Sequence, residues 1–240
     1  MHKFITQQAD LDTVLALMAQ GSVYGLDTEF IKVDTFWPKL GVFQINVNNH
    51  IFLLDGTTLD LAHFWQKIFA AQQNIFHACS EDIDLIYHYA DKQPLVNVFD
   101  TQVALSFLGH GLQVSYQNAL KLILNIDIDK DQTRSDWLAR PLSAAQIEYA
   151  ANDVLYIMQL ADELKAELEA KNLYGYMLED CQHLTQEIAL ETPQEKLYTD
   201  VGNYRHSRKQ LMQLQQLSVW REEMVKAVNQ PRSFILKNST

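Results

Sequence analysis

The chain has 240 residues, 48% of them apolar and 20% charged, the make-up of a globular protein with room for one sizeable domain and a small appendage. No apolar run approaches the roughly 18 residues of a membrane helix, and the opening MHKFITQQADLD lacks the basic and apolar regions of a secretory signal, so a cytoplasmic chain without a membrane partner is expected. The net charge of −11 argues against a uniformly basic nucleic-acid surface, but it is uneven: residues 1–200 carry 12 Lys and Arg against 28 Asp and Glu, and residues 201–240 carry 7 against 2.

Taken in chain order, a helix is expected from about Asp10 to Gln20. Three β-rich runs follow, VYGLDTEF, LGVFQINV and HIFLLD, the last two close enough for a hairpin turning at Asn48–Asn49. LDLAHFWQKIFAAQ reads as a helix and NIFHA as a short strand. Ser80 is placed to cap the next helix, whose apolar face is Ile83, Ile86, Tyr87 and Ala90. LVNVF is a further strand, Asp100 a cap for a helix through Leu108, and Val114 to Leu124 another helix. After the polar loop NIDIDKDQTRSDWLARPL, Ser143 and Gln146 form a capping box for a long helix to about Lys171. The remainder reads as helices with a break near Thr192–Pro193. Strands first as a meander, then alternating with helices, give an α/β protein with a mixed sheet flanked by helices. Cys79 and Cys181 fit no metal or redox spacing and read as thiols in a reducing compartment.

The run VYGLDTEFI sets two carboxylates in an apolar strand. Residues two apart share a face, so Asp27 and Glu29 project side by side, and burying such a pair is costly without a cation. Further acidic residues stand in HACSEDIDLI, where Glu81, Asp82 and Asp84 are equal candidates on chemistry alone, and in EYAANDVLYI. There Tyr149 and Asp153, four apart, share a helix face. Singly, each has a plainer reading: a solvent-facing strand, a helix-dipole complement, a core residue beside a surface charge. Converging, such carboxylates call for hard divalent ions with oxygen ligands, Mg²⁺ or Mn²⁺, and a metal pair is a standard device for in-line attack on phosphodiesters.

These motifs, in this order and spacing, closely resemble those of the ribonuclease D family, the tyrosine-bearing branch of the DEDD 3′-5′ exonucleases. LDTEF is similar to its first exonuclease motif, FHACSED to its second, which selects Asp82, and YAAND to its third. TFWPKLGVFQI and RSDWLARPL also resemble family segments, and the resemblance covers roughly residues 4 to 190. It implies a ribonuclease H-like, DnaQ-like exonuclease fold over residues 1–195, with C-terminal helices beyond. It implies two divalent ions, Asp27 bridging them, Glu29 and Asp153 on the nucleophile side, Asp82 on the leaving-group side and Tyr149 orienting the attacking water. Substrate contacts are expected from Thr28, Phe30, Trp37, His77, Lys130, Arg134 and Arg140. Each of these has a structural alternative: His77 as a satisfied core histidine, Phe30 and Trp37 as packing, the three cations as caps or surface charges. Gln44 and Asp100 read as framework.

Residues 196–240 read as a linker and a partial helical segment. RHSRKQLMQLQQLSVWREEMVKAVNQPRSFIL resembles the first helix and following strand-like segment of an HRDC module, which suggests a truncated or short member in which Leu211, Leu214, Leu217 and Trp220 lack their usual cover or pack on the catalytic domain. The basic charge of this tail suits a phosphate-binding surface or a solvated helix equally. The implied function is a metal-dependent 3′-5′ exoribonuclease, a monomer acting on RNA with a free 3′ end, tRNA precursors above all. The alternatives are a DNA exonuclease of proofreading or Werner type and an inactive RNA-binding scaffold.

Overall fold

The computed structural model describes residues 2–19, 22–128, 135–190 and 192–237. Its six-stranded sheet runs in the order β1-β4-β3-β2-β5-β6, formed by β1 (His2–Ile5), β2 (Val23–Ile31), β3 (Lys39–Val47), β4 (His50–Asp55), β5 (Gln73–Phe76) and β6 (Val98–Asp100). The sheet is mixed, as expected: β3 and β4 pair antiparallel, and β1 with β4, β2 with β5 and β5 with β6 pair parallel. Asn48 and Asn49 turn the hairpin at positive φ (52° and 62°), a conformation that asparagine tolerates and that suits the twist of the flanking strands. Strand β1 was not anticipated. It is a four-residue edge strand, too short to display an alternating pattern.

Eight helices of the sheet-bearing unit are α1 (Gln8–Met18), α2 (Ala62–Phe69), α3 (Ser80–Tyr89), α4 (Thr101–Phe107), α5 (Tyr116–Ala119), α6 (Ala144–Leu155), α7 (Ile157–Ala170) and α8 (Tyr174–Ala189). The expected end of α1 at Gln20 lies outside the described residues. Ser80 does not cap α3 but begins it. Asp100 caps α4 through the backbone N–H of Gln102 (2.7 Å) and also accepts from the backbone N–H of Ala78 and Cys79 (3.0 and 2.8 Å), just ahead of α3. One buried carboxylate thus secures the start of both α3 and α4. The helix expected over 114–124 is a single α-turn at α5 that loosens into a π-turn over Leu120–Leu124.

The long helix expected through Lys171 has its capping box at Ser143 and Gln146 but breaks at Tyr156. No proline or glycine marks the break, which is tertiary in origin. The buried Asn46 amide donates to the Val154 carbonyl at 2.9 Å, an acceptor that an unbroken helix would offer to Met158. Gly25 of β2 leaves room for the next residue, since a Cβ there would overlap the Ile157 side chain. The break therefore seats α6 closely against the strand that carries Asp27 and Glu29.

The chain divides into two compact units, Met1–Ile31 with Leu40–Ala189 and Lys32–Lys39 with Leu190–Thr240. The boundary expected between residues 195 and 196 falls inside the second unit. That unit holds α9 (Arg208–Val228), opened by a capping box of Ser207 and Gln210, and α10 (Arg232–Ile235), a short helix where a strand-like segment was expected. The Asn229 side chain, at the left-handed end of α9, accepts from the backbone N–H of Phe36 and Trp37 (3.1 and 3.0 Å), and Arg232 lies over the Phe36 ring at 5.1 Å. Leu211 and Leu214 are half-buried, and Leu217 and Trp220 are 48% and 46% exposed. Among the described residues no helix is long and apolar enough to cross a membrane.

Candidate active site

Asp27 and Glu29 leave β2 two residues apart, as the strand period requires, and Asp153 approaches from α6. Ligand oxygens of the three lie within 4.8 Å of one another. Asp82, in the first turn of α3, is buried and accepts a hydrogen bond from the Thr28 hydroxyl. The Gln44 amide reaches Asp27 Oδ2 at 3.4 Å, a framework role consistent with its position inside β3. Tyr149, one turn before Asp153, hydrogen-bonds that carboxylate and lies tilted 6.0 Å from the buried Trp137 ring. Strand, α3 and α6 thus bring together all five residues expected to be catalytic.

Burial and mutual repulsion dominate the electrostatics. Asp27 is raised well above the usual carboxylate range by burial and then by Asp153. Glu29 is pushed up to about 10 by burial and then by Asp27, Asp153 and Asp82. Asp82 is raised by burial and by Asp27 against the opposing Thr28 hydrogen bond. Asp153 is pushed up to about 7 by burial and Asp82, with the Tyr149 hydrogen bond opposing. Among the described residues, none of the groups acting on these four is a lysine or arginine. A cluster of oxygen donors at mutual ligand distance, with strongly disfavoured negative charge, fits hard divalent cations.

The residues expected at the substrate scatter. Thr28 turns its hydroxyl to Asp82, and Phe30 is half-buried against the core. His77 is held at both ring nitrogens, Nε2 at 2.9 Å from the Val114 carbonyl and Nδ1 at 2.8 Å from the Thr101 hydroxyl oxygen, whose own proton goes to the Phe76 carbonyl at 3.0 Å. Burial lowers its pKa. Trp37 belongs to the second unit, half-buried and edge-on to Phe36 at 4.6 Å. Lys130 and Arg134 lie outside the described residues. The Arg140 guanidinium bonds Asp55 (2.8 and 2.6 Å) and the carbonyls of Gly41, Trp137 and Ala139 (2.8 Å each), the structural alternative for this residue.

Sequence reading passed over Tyr116. Its ring packs 5.4 Å from that of His77, and its buried hydroxyl, which feels the charge of Asp153 and Asp27, is met by the Tyr156 backbone. Within VSYQNALKLIL the ring simply completes an apolar helix face, so no local signal distinguishes it.

A family profile described as 3′-5′ exonuclease matches residues 2–169. Among curated proteins, the chain is 34% identical over 241 residues to "Ribonuclease D" of Shewanella sp. (strain ANA-3), covering 98% of this chain and 61% of that one. It is 35% identical over 221 residues to "Ribonuclease D" of Pseudomonas paraeruginosa, covering 90% and 57%. Among solved structures it superposes on Escherichia coli RNase D, "an exoribonuclease involved in structured RNA processing", with a TM-score of 0.93 at 26% identity, over 99% of this chain and 64% of that one. The chain therefore spans about three fifths of the length of these relatives. The fold is the DnaQ-like exonuclease arrangement that the motifs implied.

Proposed function

The chain belongs to the 3′-5′ exonuclease family, and from that premise we propose that it shortens RNA from a free 3′ end and releases nucleoside 5′-monophosphates one at a time. The observation that carries this reading is the meeting of Asp27, Glu29 and Asp153, from a strand and a distant helix, with oxygens within 4.8 Å. Two divalent ions, Mg²⁺ or Mn²⁺, when bound supply the positive charge that activates water and offsets charge on the attacking and leaving oxygens.

The side chains divide the remaining work. Asp27, Glu29 and Asp153 would hold a cation on the side of the incoming water, and Asp82, steadied by Thr28, would help hold one on the side of the departing 3′ oxygen. The Tyr149 hydroxyl, beside Asp153, orients the attacking water along the line opposite the leaving oxygen. The phosphorus–O3′ bond breaks, the new oxygen stays on the released phosphate, and the proton gained by O3′ leaves the shortened chain with a free hydroxyl for the next cycle. Phe30 and Trp37 remain candidates for stacking on bases, and Lys130 and Arg134 for phosphates.

RNA rather than DNA, and tRNA precursors among structured RNAs, are supported by similarity to the ribonuclease D proteins. Residues 196–240 are read as a linker and the start of an HRDC-like helical segment, and the protein as a cytoplasmic monomer. Digestion of 3′- and 5′-end-labelled RNA and DNA of one sequence, with metal titrated in after chelation, tests the proposal. A one-nucleotide ladder from the RNA 3′ end that requires metal is expected. A ladder from DNA alone, or from the 5′ end, would overturn it.

A further inference from the structure

Strand β3 is buried along nearly all its length, and Leu40, Val42, Phe43, Ile45 and Val47 suit that place. Gln44 and Asn46 do not, yet both are fully buried. Neither side-chain carbonyl oxygen has a hydrogen-bond partner among the described residues. Buried acceptors left open in this way lower stability, and an apolar side chain at either position would avoid the loss. The two amides are therefore placed for their N–H groups.

Gln44 and Asn46 lie two residues apart and share one face of β3. Strand β2 is the neighbour of β3, and Gly25, Asp27 and Glu29 share one of its faces. The two faces are the same side of the sheet. A Cβ on Gly25 would lie 3.5 Å from the Asn46 Cβ, and Gln44 Nε2 donates to Asp27 Oδ2 at 3.4 Å. Asn46 Nδ2 donates to the carbonyl of Val154 at 2.9 Å and reaches that of Leu155 at 3.4 Å. Val154 is the residue after Asp153. One face of β3 thus holds both flanks of the acidic site, the Asp27 carboxylate on β2 and the backbone beside Asp153 on α6.

Asp27 and Asp153 have oxygens within 4.8 Å of each other, and their charges repel. They belong to elements more than a hundred residues apart in sequence, so only packing and hydrogen bonds set their separation. Resting on the metal reading given above, we propose that Gln44 and Asn46 act together as positioning residues, a brace that holds Asp27 and Asp153 at the spacing a shared cation needs before the cation arrives. Gln44 fixes the orientation of the Asp27 carboxylate; Asn46 fixes the end of α6 and with it the approach of Asp153. Hydrogen-bonding partners behind metal ligands typically alter metal affinity or activity by about 10- to 100-fold when removed.

The test is Mn²⁺ binding to the chelated, nucleic-acid-free protein, read by calorimetry and by the electron paramagnetic resonance of free Mn²⁺, beside thermal melts in chelator. Gln44→Met keeps the length of the side chain and deletes both the donor and the open carbonyl. It is expected to weaken Mn²⁺ binding by about 10-fold or more while Tm in chelator holds or rises, with kcat largely recovered at saturating metal. Asn46→Ala is expected to weaken Mn²⁺ binding to a similar degree. Losing either end releases the spacing, so the double variant should bind Mn²⁺ about as well as the weaker single variant, whereas two independent packing roles would give losses that multiply. Equal Mn²⁺ affinity in Gln44→Met and the unsubstituted protein, or multiplied losses in the double variant, would overturn the brace. A Tm in chelator that falls in Gln44→Met together with the affinity would also overturn it, by assigning Gln44 to folding alone. Absence of Mn²⁺ binding to the unsubstituted protein would instead remove the metal reading on which the brace stands.

Discussion

Arg140 grips Asp55 with two hydrogen bonds, Nε to Oδ2 at 2.8 Å and Nη2 to Oδ1 at 2.6 Å, and so ties the loop before α6 to the end of β4. Burial alone would raise Asp55, but the Arg140 and Thr57 hydrogen bonds outweigh it and hold the carboxyl below its usual value. Arg140→Lys keeps the charge and loses the fork. It should cost about 1–3 kcal/mol, or about 3–10 °C in Tm, with KM for RNA unchanged. Thermal melts beside steady-state kinetics check this. A raised KM at constant Tm would return Arg140 to the substrate.

The metal-free acidic cluster should make the protein less stable as pH rises. Glu29, pushed up to about 10, and Asp153, pushed up to about 7, stay protonated in the folded state at pH values where the unfolded chain has released its protons. Their contribution is complete below the ordinary carboxylate values and is lost as pH climbs through 7 and then 10. In chelator, Tm should fall by about 3–8 °C from mildly acidic to mildly alkaline solution. Asp27→Asn should flatten that slope, raise Tm at the alkaline end and abolish hydrolysis. Saturating Mg²⁺ should flatten it in the unsubstituted protein. Identical slopes with and without metal would contradict the repulsion described here.

Polarity gives an independent check. A linear RNA with a free 3′ hydroxyl should be consumed, and a covalently closed circle of the same sequence should survive. The proposed action of the four carboxylates on one phosphodiester does not by itself require an end, so a cut circle would point to an endonuclease on the same scaffold.

Much of this site was legible in the sequence because its cost is local. Asp27 and Glu29 break an apolar strand, and the strand period alone puts them on one face. Tyr149 and Asp153 share a helix face for the same reason of periodicity. What the sequence hides is tertiary. The break at Tyr156 depends on Asn46 and Gly25, both more than a hundred residues away. Arg140 resembles a phosphate ligand until Asp55, 85 positions distant, is seen to occupy it.

Tyr149 should affect the chemical step and not cation binding. A phenol with a reference pKa of about 10 is poorly matched to removing a proton near neutrality, so the role proposed for Tyr149 is to orient the water. Tyr149→Phe keeps the ring against Trp137 and deletes only the hydroxyl. It should lower kcat by about 10²- to 10³-fold, on the order of 3–4 kcal/mol, as expected for one positioned polar group in a transition state. Mn²⁺ affinity and KM should stay near those of the unsubstituted protein, because all four carboxylates are kept. In chelator the same change removes the hydrogen bond that opposes the rise of Asp153, so Asp153 should titrate above about 7. Single-turnover digestion of a short 3′-labelled RNA at saturating metal isolates the chemical step. An unchanged rate would leave Tyr149 as a packing residue and assign the water's orientation to another group.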